Sequence, residues 1–179
     1  MSKLVDENSV DIKNDNASFS TLLSSKLSAE STDAEINKRK NSRFYYSVGE
    51  HKLLLEQDIK AENLPQQTIN NLPHSPSWCS GMVNVRGIII PVVNMHEILN
   101  TANKIPKNKT KLLWLQYQEM APIIFQIDRL PSIIDYNEYK IDSTINSSYN
   151  WVTHVISKDT EKIYVVNHKQ LLTQIKNSQ

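Results

Sequence analysis

Three glycines, one cysteine, no apolar run beyond six residues and no excess of either charge remove several classes of function from this chain of 179 residues. Glycines at 49, 81 and 87 are too few for a phosphate-cradling loop, and neither a P-loop nor a GxGxxG string occurs. Cys79 alone forbids an internal disulfide and suits a reducing compartment, so a cytoplasmic location is expected. The longest apolar run, Ile88 to Val93, has Pro91 inside it, so neither a signal peptide nor direct membrane insertion is expected. With 20 basic and 19 acidic residues intermixed, the net charge of +1 gives no field to gather nucleic acid or an anionic membrane.

Reactive constellations are equally scarce. None of His51, His74, His96, His154 and His168 has a second His, Cys or carboxylate at metal-ligand spacing, so no metal site is expected. Nothing selects a histidine partner for Cys79, which reads as a packing residue beside Trp78. Carboxylate pairs such as Asp142 with Asp159, or Glu119 with Asp128, are tied together by no motif. No cofactor and no enzymatic activity are expected.

What the chain does contain is a repeat. Val92-Val-Asn-Met-His-Glu-Ile-Leu99 returns 73 residues later as Val165-Val-Asn-His-Lys-Gln-Leu-Leu172. Each copy is a β-branched strand, an Asn, and a Glu or Gln three residues on, which is a strand entering a capped helix. The repeat divides the chain into halves of roughly 43–110 and 111–176. Ahead of them, residues 1–42 hold nine Ser, one aromatic and no Pro or Gly, the composition of a disordered polar tail. Within that tail Phe19, Leu22, Leu23 and Leu27 share one helical face, able to form on a partner or on the parent domain. The basic run Lys38-Arg39-Lys40 with Arg43 reads as a solvated linker.

Strands are expected over Phe44–Val48, Lys52–Leu55, Met82–Val85, Ile88–Val93, Lys111–Tyr117, Ile123–Ile127, Trp151–Ile156 and Ile163–Val166, with a short one at Ile133-Ile134. Gln57 to Leu64 reads as a short helix stopped by Pro65, and His168 to Ile175 as the last helix. Pro65 to Ser80 reads as an ordered loop, Tyr139 to Asn150 as loop, and Thr101 to Thr110 as a polar connector. Pro91 implies an edge strand or a bulge. The fold class is all-β with short helices.

The string Gly81-x-x-Asn84-x-Arg86-Gly87-x-x-x-Pro91-Val92-x-Asn94, preceded by Leu72-Pro-x-x-Pro76-x-Trp78, resembles the signature of the CheW-like family of chemotaxis coupling proteins. The resemblance covers about residues 43 to 176 and implies two small five-stranded β-barrel subdomains. It further implies a non-catalytic adaptor that bridges the cytoplasmic tip of a methyl-accepting chemotaxis receptor and the regulatory domain of a CheA-type histidine kinase. The compact second half and the long Pro65 to Ser80 loop resemble the PilI-like branch, which serves type IV pilus and twitching motility. Two departures are visible: the usual Asp at both strand-to-helix junctions is Asn94 and Asn167 here, and Gln57 to Asn63 matches the family's helix poorly.

The resemblance marks Arg86 as receptor-facing, since a guanidinium on a turn can grip a carboxylate of an incoming helix. The competing reading of Arg86 is an internal ion pair that fixes the turn. Asn84 can hold the turn, Gly87 answers a conformational need, Val85 is core or interface, and Glu62 is a weak further candidate for partner binding. Two other functions stay open at this level. One is a β-barrel module that stacks single-stranded nucleic acid on Trp78, Trp114, Trp151 and the tyrosines. The other is an orphan coupler with a non-motility output.

Overall fold

The computed structural model describes residues 41–101, 110–144 and 147–177. The tail and its helical face, up to residue 40, and most of the Thr101 to Thr110 connector lie outside the described residues. The last two residues assigned to the tail belong to the fold, because Ser42 pairs with Asp135 and the Asn41 carbonyl accepts from the Tyr136 N–H at 3.0 Å.

Among the described residues eleven strands run in chain order: β1 Ser42–Val48, β2 His51–Leu54, β3 Ile59–Leu64, β4 Cys79–Val85, β5 Ile88–Asn94, β6 Lys111–Tyr117, β7 Ile123–Ile127, β8 Arg129–Asp135, β9 Lys140–Ile141, β10 Val152–Lys158 and β11 Glu161–Val166. Helix α1, Met95–Ile98, follows β5, and helix α2, His168–Asn177, follows β11. The strands form two sheets, β8-β1-β2-β11-β10-β9 and β3-β6-β7-β5-β4. Without β9 the two orders correspond strand for strand: β1–β2 to β6–β7, β8 to β3, and β10–β11 to β4–β5.

The correspondence shows how the halves meet. Each sheet takes a hairpin from one half and its remaining strands from the other, so the boundary near residue 110 divides the sequence repeat and not the sheets. Four pairings join the halves: the parallel ones, Val92 opposite Ile124 in β5–β7 and Tyr164 opposite Leu53 in β2–β11, and the antiparallel β1–β8 and β3–β6. Each sheet curls over its own small core. Leu64, Val83, Val85, Ile90, Val92, Leu112 and Ile124, drawn from all five strands, fill one; Leu54, Ile134, Ile156 and Ile163 fill the other. Between the sheets lies the main core, where Tyr46, Phe125 and Trp151 pack with Leu171, Leu172 and Ile175 of α2.

Both junctions are capped by Asn in different ways. Asn167 Oδ1 accepts from the Gln170 N–H at 3.0 Å, the expected third position. Asn94 Oδ1 accepts from the His96 N–H at 3.1 Å, one position earlier.

Three sequence readings change. The helix expected over Gln57 to Leu64 is strand β3, in antiparallel register with β6 from Ile59–Tyr117 to Leu64–Leu112. The segment supplies only two large apolar residues, Ile59 and Leu64, and the one edge of β6 not paired with β7 offers it a full ladder, so tertiary pairing overrides a weak helical preference. Tyr139 to Asn150 contains the two-residue strand β9. The third concerns Pro91, which lies in an interior strand. The stretch of β5 paired with β7 begins only at Val92, and the ladder irregularity falls on the other strand, between Cys79 and Gly81.

Candidate partner-binding site

Strands β4 and β5 meet in a two-residue turn, with Val85 opposite Ile88. Arg86 (φ 54°) and Gly87 (φ 85°) both lie in the left-handed region, the signature of a type I′ hairpin. A Cβ on Gly87 would meet nothing within 4 Å, so glycine is there for its backbone and not for room. Asn84 Oδ1 accepts from the Gly87 N–H at 2.9 Å and ties the turn back to its own strand.

Arg86 Nη2 donates to Glu62 Oε1 at 2.7 Å. Glu62 lies on β3 and Arg86 follows β4, and these are the two edge strands of the five-stranded sheet. The ion pair therefore bridges the edges of a sheet that has curled until they approach. The Arg86 side chain is 61% exposed and that of Glu62 19%. Such a cation is anchored in direction yet open to a second carboxylate.

The five residues singled out in the sequence divide into two groups. Arg86, Gly87, Asn84 and Glu62 come together at the hairpin tip. Val85 does not join them on the surface, since at 8% exposure its side chain packs in the small core of that sheet. The sequence reading missed Ile88 and Ile89, exposed by 59% and 70% beside Arg86. A signal existed: Ile88-Ile89-Ile90 directly follows a turn, and strand alternation cannot bury all three. Next to Glu62 opens a groove of about 650 Å³ between the sheets, bounded by parts of β1, β3, β6 and β8.

Two histidines that looked unaccompanied in the sequence have carboxylate partners. His96 Nε2 lies 2.7 Å from Asp128 Oδ1, and the Asp128 Oδ2 accepts from the Gly49 N–H at 2.6 Å. His168 donates its backbone N–H to Glu56 Oε2 at 2.9 Å and holds Nδ1 3.1 Å from the same oxygen. Burial alone would raise the Glu56 pKa, but the His168 hydrogen bonds outweigh it and hold the carboxyl below its ordinary range. Both histidines are buried and structural in placement. Among the described residues no group of His, Cys, Asp and Glu could hold a metal, and no helix is long and apolar enough to cross a membrane. Trp151 is fully buried and Trp78 and Trp114 half-buried against the cores, so the rings do not form the open platform that nucleic-acid stacking requires.

With this arrangement of sheets and turn, the profile of the CheW-like domain matches residues 45–176, about three quarters of the chain. The chain belongs to the CheW-like family. This CheW-like protein is similar to a chemotaxis protein CheW of Thermotoga maritima, with 26% identity over 99 residues. That match takes in 55% of this chain and 64% of the relative's length. In architecture it is similar to the crystal structure of a scaffolding protein, TtCheW, from Thermoanaerobacter tengcongensis. The TM-score is 0.57 at 18% identity, covering 71% of this chain and 88% of that one, which supports the shared fold. Members of the CheW-like family are non-catalytic scaffolds.

Proposed function

We propose that this chain is a cytoplasmic coupling protein that holds the cytoplasmic tip of a methyl-accepting chemotaxis receptor and the regulatory domain of a CheA-type histidine kinase together. The pathway is chemotaxis or the related twitching motility of type IV pili. The observation that carries the reading is the Arg86–Glu62 pair at the hairpin tip: an anchored, mostly exposed arginine with the exposed Ile88 and Ile89 on the strand that follows it. That combination suits a helical partner offering a carboxylate beside apolar residues, because the apolar contact excludes water from the charged one. Coupling is geometric. A receptor shift transmitted through a rigid body biases the kinase in proportion to its differential contacts with the two states.

The test is titration of the full-length chain against a receptor tip fragment and, separately, the kinase regulatory domain. Arg86→Glu is expected to weaken receptor binding at least tenfold, leave kinase binding within about twofold, and lower Tm by about 3 °C or less, since exposed pairs contribute little to stability. The exchange Arg86→Glu with Glu62→Arg rebuilds the ion pair in reverse and should leave receptor binding lost. Recovery of binding in that double variant would make the pair a strut of the turn and remove the receptor face from Arg86.

A further inference from the structure

Glu62 stands part-way along β3, an edge strand of its sheet, yet its side chain keeps only 19% exposure. A carboxylate on an edge strand has water on its open side unless a neighbour covers it, and the β3–β6 ladder supplies that neighbour. Glu62 lies directly opposite Trp114, so the two side chains stand next to each other on one face of the sheet. That face is the inner one of the curl. Leu64, two residues after Glu62, and Leu112, two before Trp114, fill the small core, and the half-buried Trp114 packs against it. Glu62 and Trp114 also line the groove together.

We infer that Trp114 is a positioning residue of the hairpin-tip site: its indole covers the Glu62 carboxylate, turns it toward Arg86, and so sets the direction in which the guanidinium is presented. The ring is wide and held by the core beneath it, so it denies the carboxylate the rotamers that would lie back over the small core. It also keeps water from one side of the carboxylate, and a partly desolvated charge pair holds more firmly than an open one. Lys60 is the reason such positioning matters. It precedes Glu62 by two residues on the same face and lines the same groove, so a carboxylate without the ring has a second cation to turn to. The turn fixes the backbone of Arg86, and the 2.7 Å bond to Glu62 orients the long side chain beyond it. The effect on a partner rests on the coupler reading. The positioning does not, and is read on the free protein.

The experiment uses the full-length, isotope-labelled chain and two NMR signals: the Trp114 indole N–H, assigned with Trp114→Phe, and the Arg86 guanidinium, whose rotation about the Nε–Cζ bond slows when the group is held. Glu62→Gln, which leaves the packing in place, is expected to shift the Trp114 signal and leave that of the buried Trp151 where it is. Trp114→Leu is expected to speed guanidinium rotation by about fivefold or more, and Trp114→Phe, which keeps a ring, to hold it within about twofold of the parent. A Trp114 signal that ignores Glu62→Gln overturns the inference. So does guanidinium rotation in Trp114→Leu as slow as in the parent while the amide spectrum stays native; should that variant lose its native spectrum, Glu62→Gln decides alone. Against a receptor tip, Trp114→Leu is expected to weaken binding about as much as Glu62→Gln, with no further loss when the two are combined. Losses that add would make Trp114 a contact of its own and overturn its action through Glu62. The expected free-protein signals with receptor binding unchanged would keep the positioning and remove the receptor from Arg86.

Discussion

At the scale of single residues, geometry ranks positions that the sequence lists as equals. Gly81 and Gly87 both have positive φ, but a Cβ on Gly81 would sit 2.3 Å from the backbone oxygen of Asn70, where a Cβ on Gly87 meets nothing. Gly81→Ala should therefore release the Asn70–Met82 bridge and free the 65–80 loop, seen as a large rise in amide exchange there, while Gly87→Ala costs only about 1 kcal/mol of turn strain. Glu56 makes a pH prediction. Its carboxyl is held below the ordinary range by His168, so its contribution is fully present above the unfolded value of about 4.3 and is lost as pH falls through the lower folded value. Glu56→Gln should reduce stability by roughly 1–2 kcal/mol at pH 7 and flatten the decline of Tm between about pH 5 and pH 3. A decline as steep as the parent's would mean that other carboxyls govern acid unfolding.

At the scale of elements, what was legible depended on whether the signal was local. The hairpin strands, the Asn-capped helices and the Arg86-Gly87 turn each carry their pattern within a dozen residues, and all stand where the sequence puts them. Strand β3 does not. Its alternation is blurred by Ala61, Glu62 and Asn63 at half-buried positions, and its identity comes from β6, some fifty residues away. Glu62 was a weak candidate for the same reason, because no local pattern reveals that β3 and the β4 hairpin are brought together by the curl of one sheet. The two His–carboxylate pairs were likewise hidden, though they repeat: in each half a carboxylate just after the second hairpin strand meets a histidine on the helix that follows the parallel neighbour. Asp128→Ala should be costly, roughly 1–3 kcal/mol by urea unfolding, since it leaves Nε2 of the buried His96 without its carboxylate while Nδ1 keeps Thr101 Oγ1. A loss under 1 kcal/mol would show that water replaces the carboxylate without penalty.

At the scale of the whole molecule, the segments 43–110 and 111–176 interleave, each sheet drawing strands from both. The β1–β2 hairpin needs β8 and β11 at its sides, and β3 and β5 need β6 and β7. Residues 1–110 expressed alone should therefore show no cooperative thermal transition, whereas the intact chain should melt in a single step by both far- and near-ultraviolet dichroism. A folded, cooperative 1–110 fragment would mean that each half carries its own sheet. The same interleaving bears on synthesis. The β1–β2 hairpin keeps two bare edges until Arg129–Asp135 and Glu161–Val166 have been made, and the latter, the last in chain order among the described strands, is inserted in the interior of the sheet that the hairpin begins. Closure of that sheet thus waits on strand β11, and unfinished chains present open strand edges, which places this protein among those that need protection from aggregation while they are being made.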